Sequence, residues 1–200
     1  ADARKLGDLK EQGVILHNRL AAISSKGLYD EVIRQAPATL DFLAKNELWK
    51  NYYLVCSQFI NAYSRQGEYE KALVKADSIY NYAKAQNNRA GMGVILHDIS
   101  MIYTFQRRYP EAEKCLRESI DMLQDQTSYL NMLATVSYHL VTNLIAQERY
   151  DDALKAACET EEVNRRFDAA AKSPQLSAWC NLWFSYIDLY RQMNEFDKAQ

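Results

Sequence analysis

His17 and His97 are the side chains best suited to acid–base or metal chemistry, and they lie 80 residues apart. A metal site would need a third ligand at a workable spacing, and the sequence offers none. Asp98 follows His97, but adjacent residues on a helix point in different directions, so the pair is not read as an acid–base couple. Ser24 and Ser25 have no base within reach by pattern, and Glu159, Glu161 and Glu162 read as a solvated charge run. Gly91 and Gly93 are isolated and do not form a phosphate-cradling loop. Cys56, Cys115, Cys158 and Cys180 are widely separated, with neither a CxxC pair nor a Cys/His cluster. They are expected to be small buried apolar residues. The chemistry legible here is therefore that of a non-enzymatic chain, with no catalytic, metal or cofactor site expected.

The elements that must position these residues are long. The chain has 200 residues with only 6 Gly and 3 Pro, so extended elements joined by short turns are expected. Hydrophobic residues make up 48% and include 14 Tyr, 6 Phe and 3 Trp, enough to build a packed core. Lys and Arg number 24 against 26 Asp and Glu, a formal charge of -2. No basic run interleaves with aromatics, and Arg107–Arg108 and Arg165–Arg166 fit a solvated helix face, so no nucleic-acid partner is expected. No apolar run approaches a membrane span, and no signal peptide is visible.

One pattern organises the whole chain. NAYSRQGEYEKAL at 61–73 returns as IYTFQRRYPEAE, as NLIAQERYDDALK, upstream as AISSKGLYDEVI and last as DLYRQMNEFDKAQ. Its aromatic falls at Tyr29, Tyr69, Tyr109, Tyr150 and Phe196, at intervals of 40, 40, 41 and 46 residues. Near-constant spacing of this length signals a solenoid of helix pairs. Gly67 suits the left-handed residue that closes a helix. Ala72 and its equivalents Ala112, Ala153 and Ala199 would let paired backbones approach, and Pro110 fits a first helical turn. Apolar positions such as Ile95, Leu96, Ile99 and Ile102 recur at helical steps. The expected helices are 9–26, 29–45, 48–66, 69–86, 89–107, 110–124, 128–148, 151–167, 175–193 and 195 onward. They form units 9–45, 48–86, 89–124, 128–167 and 175–200 of a single repeat domain. Pro174 should stop the eighth helix, with Ser173 or Ser177 capping the ninth. The last unit stops at Gln200, just inside its second helix, so the chain is expected to be a fragment followed by more repeats or another domain.

These units resemble the tetratricopeptide (TPR) repeat family over about residues 13–200. The resemblance is carried by Tyr63, Tyr103 and Tyr190 closing first helices, by Ala72, Ala112, Ala153 and Ala199 opening second ones, and by Trp183 in the last unit. Units of 40 residues or more exceed the family's length of about 34. They also resemble the helical arrays of bacterial regulators, including sensor segments of Bacteroides-group two-component proteins. The fold implied is all-α, an α-α superhelix (solenoid) of about five antiparallel helix pairs. The family builds its concave surface from first helices, which implies a binding face of His17, Ala21, Ser57, Asn61, Arg65, His97, Met101, Phe105, Tyr138, Thr142, Ile145, Phe184, Asp188 and Arg191.

That face carries few positive charges, unlike a clamp for an acidic tail. It implies a protein or peptide partner, with self-association as one form of it, engaged without a cofactor. The role expected is the input or sensor segment of a larger bacterial signalling or regulatory protein. Its expected setting is the periplasmic side of a membrane-anchored chain, with the cytoplasm as the alternative. The competing role is a self-standing adaptor or assembly scaffold in a secretion or envelope complex.

Overall fold

The computed structural model describes residues 8–193. The fold is all-α, an array of paired antiparallel helices of TPR-like type, with no strand among the described residues. The helices are α1 Leu9–Ser25, α2 Tyr29–Lys45, α3 Trp49–Arg65, α4 Tyr69–Ala85, α5 Arg89–Phe105, α6 Tyr109–Leu123, α7 Leu130–Ala146, α8 Tyr150–Ala171 and α9 Leu176–Gln192. The expected tenth helix, with Phe196 and Ala199, lies outside the described residues.

Helices α1 to α5 are each 17 residues long and start 20 residues apart. The structural beat is thus one helix plus a three-residue turn, half the period read from the tyrosines. Each turn closes in the same way. At the second, the Leu48 N–H donates to the Leu43 carbonyl (2.9 Å) and the Glu47 N–H to that of Ala44 (3.1 Å). At the third, Glu68 bonds back to Tyr63 (3.0 Å) and Gly67 to Ser64 (3.0 Å). This crossed pair needs a residue with positive φ between helices. Gly27 and Gly67 supply it, but so do Glu47, Asn87, Arg107, Glu148 and Lys172.

Asp8 caps α1 by accepting from the Glu11 N–H at 2.9 Å, and Pro110 stands in the first turn of α6. Pro37 lies inside α2, where it leaves the Ile33 carbonyl without its usual donor, and the helix still continues to Lys45. A 3₁₀ turn, Thr127–Tyr129, precedes α7. Helix α8 runs to Ala171, past the expected 167, and closes on left-handed Lys172. Neither Ser173 nor Ser177 caps α9. The N-cap is Gln175, and the Asp168 carboxylate accepts from its N–H (2.6 Å) and from the Trp179 indole N–H (2.8 Å).

The chain divides into two compact units, one up to Asp98 and one from Ile99. In the first, α1 packs on α2 and α3, α3 on α2 and α4, and Leu20, Ala36, Leu43, Val55 and Phe59 form the core. In the second, α7 packs on α6, α8 and α9, and α9 also lies against α8. Ala72, Ala112 and Ala153 are fully buried, as is Val32 at the equivalent place in the first repeat. A small side chain there allows close helix approach. Glu113 links α6 to the α7–α8 turn through Arg149 (2.6 Å) and Gln147 (3.0 Å).

The cysteines depart from expectation. Cys56 is buried and Cys115 half-buried, but Cys158 and Cys180 are exposed. The fully buried apolar positions on these two helices go to Ala153, Ala157, Leu182 and Leu189 instead. Cys158 sits 3.8 Å from the Tyr186 hydroxyl.

Candidate functional site

The first helices of the pairs, α1, α3, α5, α7 and α9, position the candidate face. Each presents a stripe at alternating steps of three and four residues. In the first unit, α3 carries Ser57, Asn61 and Arg65 on one such stripe. Asn61 and Arg65 are exposed, and the Arg65 guanidinium donates to the Asn61 side-chain carbonyl at 3.3 Å. Ser57 is half-buried and turned inward: its hydroxyl donates to Asp98 Oδ2 at 2.6 Å. Asp98 is 9% exposed, and burial pushes its carboxyl from an ordinary 3.8 up to about 7, against the opposing pull of the Ser57 bond.

His97 lies beside this pair, its Nδ1 3.9 Å from Asp98 Oδ1. The two neighbours thus come nearer than their sequence positions suggest, although the gap is too long for a hydrogen bond. The order of the groups is Ser57, Asp98, His97. A nucleophilic serine needs the imidazole between hydroxyl and carboxylate, so this geometry holds the hydroxyl in place rather than activating it. His17 is half-buried, which lowers its pKa, while a hydrogen bond with Asn18 opposes the shift.

An aromatic cluster that pattern reading passed over lies in the same unit. The Tyr52 ring centroid is 5.7 Å from Trp49, 5.2 Å from Tyr53 and 5.9 Å from Tyr82. Burial raises the Tyr52 phenol and the Cys56 thiol far above their usual ranges, so both stay neutral. The signal available in sequence was WKNYY, aromatics at one- and three-residue steps.

In the second unit, Met101 is half-buried on α5. Tyr138 is half-buried on α7, with its ring 5.0 Å from that of His139. The Thr142 hydroxyl donates to the His139 carbonyl at 3.0 Å. Burial drives the His139 imidazole down to about 4, so it is neutral at ordinary pH. Phe184, Asp188 and Arg191 share one stripe of α9, all exposed, Phe184 at 68%. The predicted residues therefore fall into three classes. Ile145 is buried. His17, Ala21, Ser57, His97, Met101, Tyr138 and Thr142 are half-buried, whereas Asn61, Arg65, Phe105, Phe184, Asp188 and Arg191 stand open to solvent. Among the described residues no group of three or more His, Cys, Asp or Glu side chains is placed to hold a metal ion. No described helix is long and apolar enough to cross a membrane.

No protein-family model matches the chain, and no curated protein matches it. Solved structures do. BtubC (BKLC) from P. vanneervenii is similar with a TM-score of 0.73 at 14% identity, over 99% of this chain and 81% of that one. A Podosopora anserina protein described as a kinesin light chain with nearly identical TPR-like repeats is similar with a TM-score of 0.62 at 13% identity, over 96% of this chain and 91% of that one. At such identities the likeness is one of fold, and it establishes a TPR-like helical repeat. Folds of this class are generally associated with protein–protein binding.

Proposed function

We propose that this chain is a non-catalytic protein- or peptide-binding module that receives its partner on the first-helix face, and that it serves as the input segment of a larger bacterial signalling or regulatory protein. The observation that carries the binding reading is the α9 stripe: an aromatic ring 68% exposed at Phe184, followed by exposed Asp188 and Arg191. An aromatic anchor beside polar side chains is the composition that interfaces favour. The TPR-like fold supports the same reading within each unit, since α1 packs on α3 in the first and α7 on α9 in the second, so their stripes adjoin. The input role and a periplasmic setting rest on the long repeat and its likeness to regulator arrays.

Phe184→Ala should weaken partner binding about tenfold, the scale of a lost anchor, with helix content unchanged by circular dichroism. Undiminished affinity would remove α9 from the face. The open reading frame around the chain tests the input role. A secretion signal upstream, with a membrane span and a kinase or regulator domain downstream, supports it; a stop codon soon after Gln200 contradicts it.

A further inference from the structure

Polar groups hold α9 onto α8. The Tyr186 hydroxyl donates to Glu161 Oε1 at 2.8 Å, and the Cys158 sulfur lies 3.8 Å from that hydroxyl. Two turns further along α8, Asp168 Oδ1 accepts from the Gln175 N–H at 2.6 Å and Oδ2 from the Trp179 indole N–H at 2.8 Å. Glu161, Asn164 and Asp168 follow one another at steps of three and four, so they share one side of α8. Asn164 therefore falls between the two points at which α9 is held.

Asn164 is fully buried, yet neither its carboxamide nitrogen nor its oxygen has a hydrogen-bond partner among the described residues. Its place in the repeat makes this choice of residue informative. It stands 14 residues after Tyr150, as Leu43, Ala83 and Leu123 stand after Tyr29, Tyr69 and Tyr109, and those three are fully buried too. Three repeats thus close this position with an apolar side chain and the fourth with a carboxamide. A buried polar group without a partner opposes the packing that buries it, and it gains hydrogen bonds to water when the seam opens.

The rest of α9 is lightly anchored. It buries three residues, Leu182, Ser185 and Leu189, where α7, also 17 residues long, buries ten. The connection offers a pivot: Lys172 ends α8 in the left-handed conformation, and Pro174 has no N–H to donate. The first N–H beyond Pro174, that of Gln175, is held by the Asp168 side chain.

We propose that α9 is a latched arm that releases from α8 as a unit, with Asp168 as the latch and Asn164 as the built-in weakness that makes release frequent. Phe184, Asp188 and Arg191 travel with it, so their stripe alternates between a docked and a released placement. This motion belongs to the seam and requires no partner.

Amide hydrogen exchange on the 200-residue chain, read by mass spectrometry, tests it, because peptides from α9 and α7 report their openings separately. In the parent, α9 amides should exchange ahead of those of α7 and with similar protection along the helix. Asn164→Leu, which installs the residue of the preceding repeat, should slow α9 exchange about tenfold, the scale of a relieved unpaired carboxamide. Asp168→Ala should speed it by a similar factor, and circular dichroism checks that both variants fold as the parent does. Exchange of α9 in step with α7, or graded inward from Gln192, would overturn release as a unit. Parent-like α9 exchange in Asn164→Leu would overturn the role of Asn164, and parent-like exchange in Asp168→Ala that of the latch. Should Asn164→Leu fail to fold, Asp168→Ala and the parent's exchange pattern still decide the proposal.

Discussion

Two residues outside the predicted face carry consequences of their own. Gly91 opens the first turn of α5, where its N–H donates to the Asn88 side-chain carbonyl at 2.8 Å. A Cβ there would come within 2.5 Å of the fully buried Tyr53 ring. Gly91→Ala should therefore destabilise the chain by about 1–3 kcal/mol, the usual cost of overpacking. Parent-like denaturant unfolding would show that the ring has room to move. Asp98 is held by Ser57 and faced by His97 and Cys56. Its folded pKa is raised from 3.8 to about 7. Between those values the native state binds a proton that the unfolded state does not, so stability falls as pH rises through the window. Asp98→Asn keeps an acceptor for Ser57 and should flatten this slope, making the variant more stable than the parent at pH 8 but not at pH 4. An unchanged slope would mean that Asp98 is ionised in the folded chain. Neither residue was legible in sequence, because glycine spacing does not report the ring above it and the order His97–Asp98 does not report depth.

At the scale of the element, the turns explain what pattern reading caught and missed. Glycine marks the left-handed position at 27 and 67, and there the turn could be read directly. At 47, 87, 107, 148 and 172 the same geometry is taken by Glu, Asn, Arg, Glu and Lys, so the half-period of 20 residues went unseen. Long helices with buried seams hold these turns closed at a cost that glycine would avoid. Gly67→Ala meets no atom within 4 Å, yet it should lose about 1 kcal/mol through backbone conformation alone. Glu47→Gly should gain about 0.5–1 kcal/mol. Opposite signs in thermal melts would confirm the shared turn, and a loss for both would contradict it. Helix α2 makes a similar point, since Pro37 would ordinarily break a helix and here does not. Packing on α1 and α3 overrides local propensity.

For the molecule as a whole, the class of fold was legible because one signal recurs along the chain. Tyr63, Tyr103 and Tyr190, and the fully buried Ala72, Ala112 and Ala153, constrain the same contact in different repeats, so an error in one is corrected by the others. The candidate face was legible as a stripe but not in relief. Part of each stripe turns inward, so Ser57, bonded to Asp98, and Tyr138 are half-buried while Asn61 and Phe184 stand clear. Function is therefore expected to concentrate on first helices and to spare the outer sides of second helices. The most direct measurement replaces single residues with a photo-crosslinking amino acid, at Phe184 on α9 and at exposed Asp77 on α4, in the protein within its native host. A discrete crosslinked partner is expected from position 184 and none from position 77. Crosslinks from position 77 alone, or the same products from both positions, would contradict a first-helix binding face.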